Sequence, residues 1–253
     1  DPYRQERARD ELPQSGSGRT IMTSEPKFVP EEAVEISPDG KSRFRIRMID
    51  SVGYMVEGAV GATEDGAPRM VTTPWYDYEI PLVEAAELGT QKVMQEHCSV
   101  GFVVTTDGTV TDIDRTDYLE AEGRAITDMK KTGKPYLVII NSASPAGEKA
   151  KAVQRELKEK YGVDSFICDC QALTTEDING LLQELLYAFP MQQLAVYLPR
   201  WMDALEMDHP VKSALYTALL QVAEQITCLA QAEGTLAALG ELEAVQDFKI
   251  RAI

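Results

Sequence analysis

The strongest constraint on the fold of this chain is a regular alternation of short apolar runs and helical stretches between residues 100 and 188. The predicted strands are Val100–Val104, Tyr136–Ile140 and Ser165–Cys168, and the predicted helices are Thr116–Lys131, Glu148–Tyr161 and Thr175–Ala188. Strands that alternate with helices at this rhythm form a parallel sheet covered by helices. We therefore predict an α/β fold.

An antiparallel hairpin is predicted ahead of this alternation. Val34–Ile36 and Phe44–Asp50 alternate apolar with polar residues, and Pro38–Gly40 between them is a turn sequence. The second strand ends at Asp50, and Gly53 follows three places on. In P-loop nucleotide hydrolases an Asp at the carboxyl end of such a strand holds Mg²⁺, and the Gly lets its N–H approach the γ-phosphate. A simple turn after a strand also produces Asp-x-x-Gly, so the context has to decide.

The order of elements favours the nucleotide interpretation. A loop over residues 16–25, rich in Gly, Ser and Thr, precedes the hairpin. This is where a Ras-like nucleotide hydrolase carries its first switch loop. A hydroxyl in that loop either ligates Mg²⁺ and senses the γ-phosphate, or has an ordinary capping role in a turn.

Asn141 directly follows the predicted strand Tyr136–Ile140, the second apolar strand after the hairpin. GTPases carry Asn-Lys-x-Asp at this place, and the Asp accepts paired hydrogen bonds from guanine. Here the run continues to Ser144 without Lys or Asp, and a serine cannot supply two carboxylate acceptors. ATP, or relaxed selection of the base, is therefore favoured over GTP. The predicted nucleotide contacts are Thr20, Asn141 and Ser142.

Charge, hydropathy and cysteine content argue against a nucleic-acid-binding protein, a membrane-spanning protein and a zinc protein. A formal net charge of -16 with no basic stripe argues against a nucleic-acid partner. No run of 18 apolar residues occurs, so no transmembrane span is predicted. The four cysteines and two histidines fit no zinc template, and the cysteines are expected to be free.

The phosphate-binding sequence G-x-x-x-x-G-K-[ST] is missing from the chain. We therefore expect a fragment that begins just downstream of its phosphate loop. In the Ras-like strand order the first strand lies at the centre of the sheet. Its absence should leave a gap between the Phe44–Asp50 and Val100–Val104 strands, and a poorly stable fragment.

The remaining segments complete the predicted organisation. Residues 57–81 are predicted to be a long irregular insertion, followed by a helix from Leu82 to Gln95. Residues 1–189 are assigned to a P-loop NTPase-like domain and residues 190–253 to a small second α/β unit. In that unit we predict a strand over Leu194–Leu198 and a helix over Val211–Ala232.

Several longer runs resemble the stage IV sporulation protein A family, and the resemblance extends to about residue 201. These runs are Asp10–Ser15, Gly18–Phe28, Asp50–Tyr54, Pro68–Met70, Thr73–Tyr76, Gln95–His97, Thr105–Thr109 and Gly133–Pro135. The resemblance implies a Ras-like P-loop NTPase three-layer sandwich, mostly parallel, with an antiparallel edge hairpin and without its first strand. It also implies that the family's C-terminal domain is missing.

The family resemblance implies an ATPase that uses ATP and Mg²⁺ and polymerises into the basement layer of the spore coat. The implied location is the mother-cell cytoplasm, on the outer forespore membrane. The implied partners are further copies of the chain, a small amphipathic membrane-bound spore protein and a coat encasement protein. Two alternatives remain: a nucleotide-binding scaffold without turnover, and a regulatory GTPase.

The resemblance also assigns site residues. The family's sensor hydroxyl pair maps onto Thr23 and Ser24, and its Mg²⁺ aspartate maps onto Asp50. The predicted catalytic set is then Thr23, Ser24, Asp50 and Gly53, with Asp50 and Thr23 as Mg²⁺ ligands. Ser24 stands where threonine is usual, and the phosphate-loop lysine has no counterpart. No general base is evident, because Tyr54 rather than Gln follows Gly53.

Overall fold

The computed structural model describes residues 28–37, 43–57, 59, 61–64, 66–242, 245 and 247–251. The chain divides into two compact units, one ending at Gln183 and the other beginning at Glu184. All β-strands found among the described residues lie in the first unit, and the regular elements described in the second unit are helices. None of the described helices of either unit has the length and apolarity needed to cross a bilayer.

The first two strands form the predicted antiparallel hairpin. β1 (Phe28–Ile36) pairs with β2 (Phe44–Ile49), and Glu35 lies opposite Arg45. The register shifts between Val29 and Val34, so the hairpin contains an irregularity. The predicted turn lies outside the described residues. The hairpin matters for function because Asp50 follows β2 directly.

Residues 57–81 are not the irregular insertion that the sequence predicts. They contain two small antiparallel pairs, β3 (Thr63–Glu64) with β4 (Ala67–Pro68) and β5 (Met70–Thr73) with β6 (Tyr76–Pro81). The inner side of the second pair is apolar and packs on the following helix, α1 (Leu82–Lys92). These strands are too short for a clear alternation in the sequence, and burial against α1 defines them instead.

Helix α1 confirms the predicted helix and ends in a π-helical turn, Val93–His97. Lys134 closes this end. Its Nζ donates hydrogen bonds to the carbonyl oxygens of Met94 at 2.8 Å, Gln95 at 2.7 Å and Cys98 at 2.7 Å. An ammonium at this position satisfies carbonyl groups that have no partner within the helix and opposes the negative end of the helix dipole.

Replacing Lys134 with methionine should therefore destabilise the first unit by about 1.5–3 kcal/mol, the range for hydrogen bonds to a charged group. Methionine keeps the length of the side chain and removes the three donors. Urea unfolding followed by circular dichroism measures the change. Lys149→Met, at an exposed position on another helix, is the control and should leave the midpoint within experimental error. Equal midpoints for both variants would contradict the assigned role of Lys134.

The predicted parallel sheet is confirmed, with strand order β7–β8–β9. The strands are β7 (Gly101–Thr106), β8 (Tyr136–Asn141) and β9 (Ser165–Cys168). Thr106 lies opposite Asn141, and Asn141 lies opposite Cys168. All three strands therefore end at one edge of the sheet.

The helices between these strands are also confirmed. They are α2 (Arg115–Lys131), α3 (Glu148–Tyr161) and α4 (Thr175–Tyr187). Helix α3 ends at Gly162, which has a φ of 65° and so adopts the left-handed conformation common after a helix. One face of the sheet forms a core with α2 and α3, composed of Val103, Ile126, Met129, Val138, Ile140, Val153, Leu157 and Val163. Helix α4 contacts the other face, where Gly180 lies against the ring of Phe166.

Strand β7 is incompletely covered by the described residues. On the face that α4 contacts, Leu137 and Ile139 of β8 are buried, whereas their β7 neighbours Phe102 and Val104 are 37% and 59% exposed. Within the described ranges, the outer edge of β7 has no strand beside it, and β2 belongs to a separate sheet.

In the second unit the predicted strand over Leu194–Leu198 is wrong. This segment has no regular secondary structure, and Tyr197 is 77% exposed. Its apolar composition satisfied the pattern for a strand, but a strand also needs a neighbouring strand for its backbone hydrogen bonds. The described bridge in this unit joins Pro190 to Cys228 instead.

The predicted single helix over 211–232 is also wrong, because the chain bends at Thr227. Two helices are present, α5 (Pro210–Gln225) and α6 (Leu229–Ala237). The Gln231 side-chain oxygen accepts hydrogen bonds from the backbone N–H and the hydroxyl of Thr227 at 2.9 and 3.0 Å. The Gln231 side chain thus satisfies the backbone N–H of Thr227, which lies between the two helices. Ala and Leu richness concealed the break, and Val222 and Leu236 place both helices in one core.

Candidate nucleotide site

Asp50 and Gly53 lie in the segment without regular secondary structure that follows β2. Asp50 is exposed, and none of the described residues forms an ion pair with its carboxylate. Gly53 has a φ of 81°, a conformation that side-chain-bearing residues rarely adopt, and there is open space where a Cβ would lie. This segment therefore offers an exposed carboxylate followed by a backbone conformation that glycine adopts most easily.

The N–H of Gly53 is engaged. It donates to Oγ1 of Thr90 on α1 at 3.0 Å, and Thr90 is only 2% exposed. The next residue, Tyr54, donates its hydroxyl hydrogen to Oδ2 of Asp128 on α2 at 2.5 Å. The segment after Asp50 is thus fastened to two helices.

A second group of polar residues lies at the carboxyl edge of the sheet. Asp107 follows β7 and is 5% exposed. One of its oxygens accepts the hydroxyl of Ser142 at 2.7 Å, and the other accepts the N–H and hydroxyl of Thr109 at 3.1 and 2.5 Å. Thr109 in turn accepts the N–H of Ala143 at 3.0 Å. The loops after β7 and β8 are therefore held together through one carboxylate.

The environment of Asp107 favours its ionised form. Burial alone would raise its pKa, but the hydrogen bonds from Thr109 and Ser142 together outweigh burial and hold the pKa below the usual value of 3.8. A carboxyl whose pKa is lowered on folding stabilises the folded state above its unfolded pKa. That stabilisation is lost as the pH falls through the folded pKa.

Replacing Asp107 with asparagine should lower the free energy of unfolding at pH 7 by about 1–3 kcal/mol, because an amide cannot accept hydrogen bonds from both sides. Below about pH 4 the wild-type protein should lose stability as Asp107 is protonated, and the variant should lose less. Urea midpoints at pH 7 and pH 3 measure both effects. Asp112→Asn, at an exposed position in the same loop, is the control. Parallel pH profiles for wild type and Asp107→Asn would contradict this account.

The predicted base-binding residues lie beside this cluster. Asn141 is half-buried at the end of β8, and its Oδ1 accepts the N–H of Cys170 at 3.0 Å. Ser142 is fully buried and bonded to Asp107, and its Oγ also accepts the N–H of Ser144. Among the described contacts Ser142 supports the loop, and the amide of Asn141 lies nearer the surface. Thr20, Thr23 and Ser24 lie outside the described residues.

Sequence reasoning did not identify three residues that organise these positions. Asp107 could have been found, because a carboxylate directly after a buried parallel strand lies at the edge where such sheets place their ligands. Thr90 and Asp128 could not, because both are ordinary helical residues in the sequence. Only packing brings them against Gly53 and Tyr54.

The residues present fit a Mg²⁺ ion. Mg²⁺ binds to oxygen, usually through one or two carboxylates, and keeps much of its water. The exposed carboxylate of Asp50 suits this role. The four cysteines are free, and no group of three or more His, Cys, Asp or Glu side chains in the described part of the chain could form an all-protein metal cage.

A parallel sheet with helices on both faces, polar loops at its carboxyl edge and an Asp-x-x-Gly sequence directly after a strand are features of P-loop NTPase-like α/β proteins. Residues 1–190 match the family model described as the stage IV sporulation protein A ATPase domain. Residues 191–253 match the model of the middle domain of the same family. No solved structure matches the chain.

Individual relatives agree with these matches. Stage IV sporulation protein A of Clostridioides difficile (strain 630) is 42% identical over 245 residues, which cover 97% of this chain and 50% of that protein. The protein of the same name from Bacillus subtilis (strain 168) is 40% identical over 95% of this chain and 49% of its own length. That of Bacillus anthracis is 43% identical over 87% of this chain and 45% of its own length.

The chain belongs to the stage IV sporulation protein A family. It spans about half the length of the curated relatives that it matches.

Proposed function

We propose that this chain contains the nucleotide-hydrolysing region of a spore-coat ATPase that couples ATP hydrolysis to polymerisation. The match to an ATPase domain supports the activity. The observation that carries the proposal is the segment after β2, where an exposed carboxylate at Asp50 precedes a glycine with positive φ at Gly53. These are the two features that magnesium and a γ-phosphate require at this place in P-loop NTPases.

The proposed roles follow from the chemistry of each group. Asp50 and Thr23 would hold Mg²⁺, which would neutralise the charge that develops on the transferred phosphoryl group. Ser24 is the second hydroxyl of the sensor pair. The N–H of Gly53 donates to the γ-phosphate. Thr20, Asn141 and Ser142 belong to the nucleotide-binding set. Asn141 offers its amide to the base, and Ser142 keeps the loop after β8 in place through Asp107.

The incomplete cover of β7 supports a Ras-like strand order. In that order the strand that carries the phosphate loop lies between β2 and β7. The outer edge of β7, which no strand of the described ranges pairs with, and the exposed Phe102 and Val104 are suited to such a neighbour. We assign residues 1–189 to the ATPase domain and residues 190–253 to the start of the middle domain.

The assembly part of the proposal rests on family membership. The product would be a homopolymer in the basement layer of the spore coat, formed in the mother cell on the outer forespore membrane. A small amphipathic membrane-bound spore protein and a coat encasement protein are the proposed partners. The exposed aromatic and apolar side chains of the second unit, Tyr197, Trp201, Met207 and Leu220, are suited to protein contacts.

A second candidate function is a nucleotide-binding scaffold without turnover. One observation favours it: Tyr54 follows Gly53 and has its hydroxyl tied to Asp128, so the residue in this position does not serve as a base for water. The two candidates predict different products, since a scaffold binds ATP without releasing phosphate.

The test uses the full-length natural protein. Phosphate release and thermal shift are measured with ATP and with GTP, each with Mg²⁺. The ATPase proposal expects phosphate release with ATP and much less with GTP. A thermal shift without phosphate release supports the scaffold, a preference for GTP supports a regulatory GTPase, and no response to either nucleotide defeats all three.

A further inference from the structure

Gly53 and Tyr54, three and four residues after Asp50, form hydrogen bonds to the two helices that they contact. On α1, Thr90 accepts the N–H of Gly53 at 3.0 Å, and Gln91 donates to Asp128 at 3.2 Å. On α2, Asp128 accepts the hydroxyl of Tyr54 at 2.5 Å. A single short segment therefore connects both helices.

Further charges complete this cluster. Lys131 donates to the other oxygen of Asp128 at 2.7 Å. The guanidinium of Arg124 lies 5.1 Å from the centre of the Tyr54 ring and forms two hydrogen bonds to Glu87 of α1 at 2.6 and 2.5 Å. Residues 124, 128 and 131 follow one another along one face of α2, so the ring and hydroxyl of Tyr54 meet the same helix face.

The tyrosine remains a hydrogen-bond donor under all ordinary conditions. Burial first, and then the hydrogen bond and charge of Asp128, raise the pKa of the Tyr54 hydroxyl well above its usual value. Asp128 is an acceptor, because hydrogen bonds from Lys131, Tyr54 and Gln91 together outweigh its burial and lower its pKa. The contact between them is therefore a hydrogen bond from a neutral donor to a charged acceptor.

A backbone N–H has one hydrogen to donate, so Gly53 cannot serve Thr90 and a γ-phosphate fully at once. We propose that Gly53 and Tyr54 form a latch in which Thr90 is a positioning residue that competes with the γ-phosphate for the Gly53 N–H. Binding of a triphosphate draws this N–H away from Thr90 and pulls Tyr54 off Asp128. The state of the nucleotide is thereby transmitted to the surface of α1 and α2.

The latch rests on the proposed function and concerns the regulation of the same site. It predicts a difference between ATP and ADP binding that a purely structural role of Thr90 and Tyr54 would not produce. A nucleoside triphosphate has to break the latch and a diphosphate does not, because only the triphosphate has the group that takes the Gly53 N–H. Weakening the latch should therefore strengthen the binding of ATP relative to ADP.

The experiment measures the dissociation constants of ADP and of a non-hydrolysable ATP analogue, both with Mg²⁺, on the full-length protein. Thr90→Val keeps the shape of the side chain and removes the acceptor. It should tighten binding of the analogue by about two- to ten-fold and leave ADP binding unchanged. Tyr54→Phe, which acts from the other end of the latch, should change binding in the same direction and tests the proposal separately if Thr90→Val fails to fold.

Thr217→Val is the matched control. Thr217 is also a helical threonine with a hydrogen-bonded hydroxyl, whose partner is the carbonyl of Ser213 at 2.9 Å, and its replacement should change neither constant. Equal shifts for the analogue and ADP, or no shift in either latch variant, would overturn the latch while leaving the proposed function intact. If the wild-type protein binds no analogue at all, the proposed function fails and the latch fails with it.

Discussion

Replacing Asp50 with alanine should reduce ATP hydrolysis by the full-length protein at least about 100-fold, the scale on which loss of one group that stabilises transition-state charge is felt. The carboxylate is exposed at the end of β2 and has no ion pair among the described residues. It therefore contributes little to folding and can serve a metal ion. Steady-state phosphate release, measured over a range of Mg²⁺ concentrations, gives the effect.

The stability of the Asp50→Ala variant should remain close to that of the wild type, which separates a catalytic loss from misfolding. Asp77→Ala is the control, because Asp77 is also an exposed aspartate on a strand of the first unit, and it should retain full turnover. Unchanged turnover in Asp50→Ala would show that magnesium is held elsewhere, and the proposed role of the segment after β2 would be lost.

The largest effect on stability is expected at Glu122. Its side chain is 1% exposed on α2 and accepts hydrogen bonds from the guanidinium of Arg115 at 2.9 Å and from the hydroxyl of Thr105 at 2.6 Å. Two further nitrogens of Arg115 are buried without a described partner. Glu122→Ala would leave the largely buried guanidinium of Arg115 with only the half-exposed Glu156, 3.8 Å away, as a counter-charge. Breaking the buried pair should cost an amount toward the lower end of about 3–5 kcal/mol. Urea unfolding of the first unit, followed by circular dichroism, measures this loss.

A double variant tests the cause. Replacing both charges, as Glu122→Leu with Arg115→Met, removes the uncompensated charge and should recover most of the stability lost in Glu122→Ala. Glu120→Ala, at an exposed position on the same helix, should cost less than about 0.5 kcal/mol. A loss of under about 1 kcal/mol in Glu122→Ala would mean that water or another group compensates Arg115.

Much of the first unit follows from pattern alone. The strands β8 and β9 and the helix α3 begin and end within one residue of the predicted positions. The reason is that a parallel strand buried on both faces has a continuous apolar run, and a helix of fourteen residues has a full apolar stripe. Both patterns are local, so they can be recognised in the sequence without knowing which strand or helix each element packs against.

The elements that were predicted wrongly lack a clear or reliable local pattern in the sequence. β5 and β6 exist because Val71 and Ile80 bury against α1, and the sequence offers only four and six residues to show it. Leu194–Leu198 has the composition of a strand and no strand beside it. In the segment 211–232 one helix ends at Gln225 and a second begins at Leu229, and Gln231 bonds Thr227 between them. The first two outcomes depend on partners outside the segment, whereas the third involves a contact between residues only four positions apart.

For the site, the order of the elements, the Asp-x-x-Gly sequence after β2 and the polar residues at the strand ends were predictable, because each of these depends on local backbone chemistry. The contacts by which Asp107 holds Ser142, and by which Thr90 and Asp128 hold the segment after Asp50, became evident only in the folded structure. Those contacts join residues 35 to 74 positions apart. Hydrogen bonds over such separations form only after the sheet and its helices have packed, and a sequence pattern does not encode them.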